Sequence, residues 1–259
     1  MIQLQTSYSF SRVPYISNDG LDAYAEAVIA DFAPELLHTP GQVDVEAFLE
    51  FYLGLSTRYC RISYDRKVLG MTAFNNGLLQ VVDEETGTTE PIPVTSGTVI
   101  LDTSLTGKRN LARLRFTSMH EGSHWMIHRE AFTEDNPFGH IGVYENQYLA
   151  AKEGRIDYSR SQKERTDIER IERQADFLSS ALLMPRPALR EAYRAFFCSY
   201  GEAPRRIIKG GGNPMDDCFA KALPEYVANL FGVSGRAALI RLEKLNAIVD
   251  SKTWRGVRP

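Results

Sequence analysis

The stretch FTSMHEGSHWMIHRE, Phe116 to Glu130, sets His120 and His124 four residues apart, with Glu121 directly after the first. On a helix, residues i and i+4 leave one face on consecutive turns, so the two imidazoles can converge on one point. Two neutral imidazoles at that spacing can bind one zinc ion. A glutamate next to the first, turned roughly a quarter of the way round the helix, lies beside the metal rather than on it. There it can take a proton from water as a general base.

A catalytic zinc takes three protein ligands and keeps one position open. His128 lies one turn further along, but three ligands stacked on one straight helix cannot surround a tetrahedral centre. No HExxHxxGxxH run bends the chain to bring a later histidine round. His128 therefore reads as a packed residue, or one that supports a ligand from behind. A better third ligand occurs in IERIERQADFLSSALLMP, where Glu172 and Asp176 are again i and i+4. Glu172 completes a two-histidine, one-glutamate set. Asp176 can accept the free N–H of a ligating imidazole, which fixes its tautomer and raises its basicity. Ile168, Ile171, Ala175, Leu178 and Leu182 form a core stripe beside that acidic face, and Glu169, one turn earlier, is the reserve ligand.

The elements that must hold these residues can be read from the period of the apolar pattern. Residues 1–18 read as an extended arm. SNDGLDAYAEAVIADFAPE reads as a helix capped at Asn18 or Asp19, and VDVEAFLEFYLGL as a second helix ended by Gly54. STRYCRI, VLGMTAF and GLLQVV follow as strands, with Asn75-Asn76-Gly77 the expected hairpin turn between the last two. The polar stretch DEETGTTEPIPVTSG reads as a loop and TVILDT as a further strand. Residues 133–163 read as a loop over one face, with His140, Tyr144 and Tyr148 candidates for contacts to substrate or to a developing oxyanion. After the Glu172 helix and its stop at Pro185 comes the helix ALREAYRAFFCSY. GEAPRRIIKGGGNP is then the best boundary or flexible loop in the chain, and KALPEYVANLFGVSGRAALIRLEKLNAI reads as two helices about Gly232-Val233-Ser234. The predicted class is α+β: a zincin-like domain over 1–200 with a small β-sheet and an HExxH active-site helix, and a helical, helix-turn-helix-like region over 215–250 packed on it.

Composition narrows the function. The chain has 259 residues, 43% apolar and 24% charged, as expected of a globular protein with a real core. Its formal charge of −3 gives no global attraction to nucleic acid or to an anionic membrane. Arg236, Arg241 and Lys244 could meet phosphate, but Leu239, Leu242 and Leu245 make the same helix equally a core helix. Direct nucleic-acid binding is not expected. Cys60, Cys198 and Cys218 are odd in number and dispersed, fitting reduced thiols rather than a disulfide framework. The start of the chain lacks the pattern of a signal peptide, and no apolar run approaches the roughly 18 to 20 residues of a membrane span. A cytoplasmic protein is expected.

RFTSMHEGSHWMIH followed by ERQADFLSSALLMP closely resembles the ImmA/IrrE family of bacterial metallopeptidases. Members carry an Arg-Phe-Thr-x-x-His-Glu-x-x-His-x-x-x-His run, then a Glu-x-x-Ala-Asn/Asp helix ending in Leu-Leu-Met-Pro. The resemblance covers most of residues 40–250. It implies zinc on His120, His124 and Glu172, Glu121 as catalytic base, and Asp176 behind the ligands. It also implies cleavage of a protein, a helix-turn-helix repressor of a mobile element or a stress regulator. Gly122 and Ser123 depart from the usual Leu or Ile followed by Gly, Asp176 stands where many members have Asn, and the 133–163 segment has no clear counterpart. The rival function is a zinc-bearing regulator that binds DNA or protein without cutting; the intact Glu121 argues for the enzyme.

Overall fold

The computed structural model describes residues 7–8, 13–132, 148–152 and 167–254. The arm forms a short antiparallel pair, β1 (Ser7–Tyr8) with β2 (Pro14–Tyr15). Helix α1 (Asn18–Phe32) is capped one residue earlier than its sequence suggests: the Ser17 hydroxyl oxygen accepts from the Gly20 amide at 3.1 Å. Its buried face carries Leu21, Tyr24, Ala25, Val28 and Ile29, and also Asp22. The second predicted helix is only a single α-turn, α2 (Val45–Ala47), capped by Asp44 and continued by a π-helical turn, Phe48–Tyr52. Gly54 ends it with a φ of +69°, where glycine is at no steric disadvantage.

Three strands follow: β3 (Ser56–Cys60), β4 (Val68–Ala73) and β5 (Gly77–Val82). β4 and β5 do not form the expected hairpin. β5 instead pairs with β6 (Thr89–Val94) in a separate two-stranded sheet. Pro91 and Pro93 made that run read as a loop, yet both fall on exposed edge positions where a missing donor is harmless. β7 (Thr98–Asp102) is buried along its whole length at the centre of the main sheet, whose order is β3-β7-β4-β8. β7 runs parallel to β3 and antiparallel to β4.

Helix α3 (Leu111–His128) carries the HExxH run. The edge strand β8 (Tyr148–Lys152) lies inside the segment expected to be all loop and pairs antiparallel with β4. α4 (Asp167–Leu183) and α5 (Arg186–Ser199) follow. The pleat sorts the sheet's two faces. Met71, Ala73 and Ile100 meet Leu79, Val81, Ile92 and Val94 of the β5–β6 pair, whereas Val99 and Leu101 join the helices in the larger core.

GEAPRRIIKGGGNP is not loop throughout. Within it β9 (Ile207–Lys209) pairs in parallel with β10 (Ile248–Asp250), and Ile207 is fully buried. α6 (Pro214–Phe231) starts at Pro214 rather than Lys221, with Asn213 as its cap. Gly232, at φ +64°, and Ser234, which caps α7 (Gly235–Lys244), form the expected turn. One apolar core joins Leu21, Leu49, Leu101, Met119, Leu178, Phe197, Phe231 and Leu242. Arg241 lies in that interior, paired with Asp22, so it cannot meet phosphate; Arg236 and Lys244 are exposed. The architecture is α+β, with the HExxH helix between a mixed sheet and α4. Among the described residues no helix is long and apolar enough to cross a membrane.

Candidate metal centre

Every residue from Thr117 to His124 on α3 is buried, although the run includes two histidines, a glutamate, a threonine and two serines. Buried polar groups must find hydrogen-bond partners, so the neighbours of this run define what it can do. α4 covers one flank, β4 and β7 cover another, and the π-helical turn covers the third. Gly122 explains itself at that last contact: a Cβ there would come within 2.7 Å of Leu49 Cδ2. Close packing against the π-helical turn accounts for a glycine inside this helix.

The i, i+4 spacing brings His120 Nε2 to 2.9 Å from His124 Nε2. α4 supplies the carboxylate: Glu172 Oε2 is 3.6 Å from His120 Nε2, and Glu172 Oε1 is 3.8 Å from His124 Nε2. One ligand atom from each of His120, His124 and Glu172 lies within 4.8 Å of the others, the spacing of a metal-ion cluster. Asp176 Oδ1 stands 2.9 Å from His120 Nδ1. A carboxylate accepts, so His120 donates its Nδ1–H there and turns the Nε2 lone pair towards Glu172 and His124. With His120 neutral at Nε2, acceptors from three side chains face one another, a place for a cation. A two-imidazole, one-carboxylate set fits a divalent metal ion there.

The electrostatics point the same way. Burial alone would lower the His120 pKa, but hydrogen bonds to Asp176 and Glu172 outweigh it and hold the pKa well above the ordinary histidine range. Burial, then the neighbouring His120 and His128, drive His124 well below it. His128 is pushed down to about 3, chiefly by burial against the opposing bond to Gln174. The surroundings favour positive charge at the His120–Glu172 end and neutral imidazoles behind it.

Glu121 is fully buried on a different face of α3, towards β4. The Thr72 hydroxyl lies 2.7 Å from Glu121 Oε2 and 3.0 Å from its backbone oxygen, so one O–H holds both ends of the residue. Opposite Glu121, β4 carries Gly70. A Cβ there would sit 2.8 Å from Glu121 Oε1 and 2.7 Å from Thr117 Cγ2, so only glycine leaves the carboxylate its place.

The reserve ligand Glu169 is exposed and stands outside the cluster, and Ile168 is also exposed, leaving the core stripe to Ile171, Ala175, Leu178 and Leu182. His128 is buried but does not join the cluster. His140 and Tyr144 lie outside the described residues; Tyr148 opens β8, paired with Ala73. Sequence reading missed Thr72 and Gln174. The only signal for either was a polar residue inside an apolar strand or on a core-facing helix.

A model of the Peptidase_M78 family, described as the IrrE N-terminal-like domain, matches residues 108–243. That span includes α3, α4 and the C-terminal helices through most of α7. A search of curated proteins found no match.

Proposed function

The chain belongs to the Peptidase_M78 family, a family of metallopeptidases, and from that membership we propose that it is a zinc-dependent endopeptidase. The observation that carries the proposal is the pairing of the His120–His124–Glu172 cluster with a buried, hydrogen-bonded Glu121 one residue from a ligand. Zinc held by His120, His124 and Glu172 would supply Lewis acidity, polarising a scissile carbonyl and making water more acidic. Glu121 takes a proton from the attacking water as the new C–O bond forms. It returns that proton to the amide nitrogen as the C–N bond breaks. Thr72 and Gly70 keep the Glu121 carboxylate in one place through this exchange, and Asp176 keeps His120 oriented.

The proposed substrate is a protein, a helix-turn-helix repressor of a mobile element or stress regulon. Support for it is the family alone. The burial of Arg241 removes one of three cations that a DNA-binding reading would use. Glu121→Gln tests the enzyme against the non-cutting regulator. The variant is nearly isosteric and should keep its metal and fold, yet cleavage of a repressor encoded nearby should fall by about 10²–10⁴-fold. A gel of both proteins with the same repressor, with and without chelator, reads the outcome. Equal cutting by the two proteins would end the peptidase reading.

A further inference from the structure

His128 serves neither as a ligand nor as a base, yet it is fully buried and held at both ring nitrogens. The polarity of those bonds can be traced from one end. The Pro14 carbonyl in β2 can only accept, so Gln174 must turn its amide nitrogen to it, at 2.8 Å. The Gln174 oxygen then faces His128 Nε2 at 3.0 Å. An amide oxygen also only accepts, so His128 carries its proton on Nε2 and offers a lone pair at Nδ1. His124 Nδ1 lies 3.0 Å from that lone pair and must donate to it. The lone pair of His124 is therefore left on Nε2, the atom 3.8 Å from Glu172.

We propose that Gln174 and His128 are positioning residues: with the Pro14 carbonyl they lock His124 in the Nδ1-protonated tautomer, so that Nε2 always faces the metal. The proposal rests on reading His120, His124 and Glu172 as a metal site, and it extends that site to the N-terminal arm. The two imidazoles are thus set by different means. His120 leans on a carboxylate, and His124 on a neutral chain whose direction comes from a backbone oxygen.

Long-range proton–nitrogen correlation spectra of wild type, metal-free and zinc-loaded, should show His128 protonated at Nε2 and His124 at Nδ1. His128→Leu and Gln174→Leu should each weaken zinc binding by about 10–100-fold in competition with a chromophoric chelator, the usual effect of removing an outer partner. Gln174→Leu should also blur the His128 tautomer in the spectra. His128→Gln can still accept from His124 and donate to Gln174, and its zinc affinity should stay nearer to wild type than that of His128→Leu. His124 protonated at Nε2 in metal-free wild type, or unchanged zinc affinity in Gln174→Leu, would overturn the relay while leaving the metal site standing. Wild type that takes up no zinc would overturn the metal site and the relay with it. Should His128→Leu fail to fold, the wild-type spectra and Gln174→Leu still decide.

Discussion

Two buried polar clusters touch α4, one along its flank and one at its end. On the flank, His120, His124, His128, Glu172, Asp176 and Gln174 link α3 to α4. At the end, Arg241 pairs with Asp22, donates to the Met184 carbonyl at 3.3 Å and lies over the Phe177 ring, with Arg186 3.8 Å from the same aspartate. Both are largely removed from water, but they differ in what faces inward. The Arg241 cluster contains its own cations and anion, as buried charges require. In the histidine cluster Asp176 and the His128–Gln174 chain hold the imidazoles from outside, and with His120 neutral at Nε2 the inner atoms of His120, His124 and Glu172 are acceptors gathered at one point. Buried cations already paired with an anion hold helices together; acceptors gathered at a common point call for a cation from outside.

Cutting each cluster tests that distinction. The largest effect expected is on metal content. Glu172→Ala leaves two imidazoles, and elemental analysis of the purified variant should find zinc near background in a protein that folds normally by circular dichroism. Should Glu172→Ala hold zinc like wild type while Glu169→Ala does not, the third ligand moves one turn along α4.

Next in size is Arg241→Met, which leaves Asp22 in the core with only its longer contact to Arg186. Urea unfolding should register a loss of about 3–5 kcal/mol, the range for breaking one half of a buried pair. The double variant with Asp22→Leu should recover part of it, and zinc affinity in the folded fraction should not move. A zinc affinity that drops with Arg241→Met would erase the line drawn between the two clusters.

The smallest effect is Asp176→Ala. Zinc should still bind, about 10–100-fold more weakly, because the His120 ring loses its orienting partner but keeps its lone pair. Isothermal titration measures this directly, and an undiminished affinity would reduce Asp176 to a bystander.

What could be read from the sequence, and what could not, follows the range of the interactions. His120, His124, Glu172 and Asp176 lie on two helices whose spacing is written into the local order of residues, so periodicity placed them on common faces. The partners that complete the two clusters come from far away. Thr72 is 49 residues from Glu121, Gln174 is 160 from Pro14, and Arg241 is 219 from Asp22. No local pattern marks such pairs. Arg241 reads from its sequence as a charge that could meet phosphate, and nothing local marks Asp22 as its partner. The sheet failed differently: the turn-like Asn75-Asn76-Gly77 suggested a β4–β5 hairpin, but β4 is flanked by β7 and β8, and β5 found its partner across the Asp83–Thr88 turn.

The bond from Gln174 to Pro14 O has a consequence in thermodynamic linkage. Val13, beside that carbonyl, is fully buried with Phe74, Phe132 and Ile171, so the arm is seated by packing as well as by its hydrogen bond. If a seated arm tightens the metal, a bound metal must tighten the arm by the same free energy, since coupling between two equilibria is reciprocal. Stripping the metal would then loosen a strand that contributes no ligand. Faster amide exchange at Val13 and Tyr15 in metal-free protein would report it, and so would an early protease cut ahead of α1. The arm becomes a reporter of metal occupancy, readable at a distance from the ligands themselves.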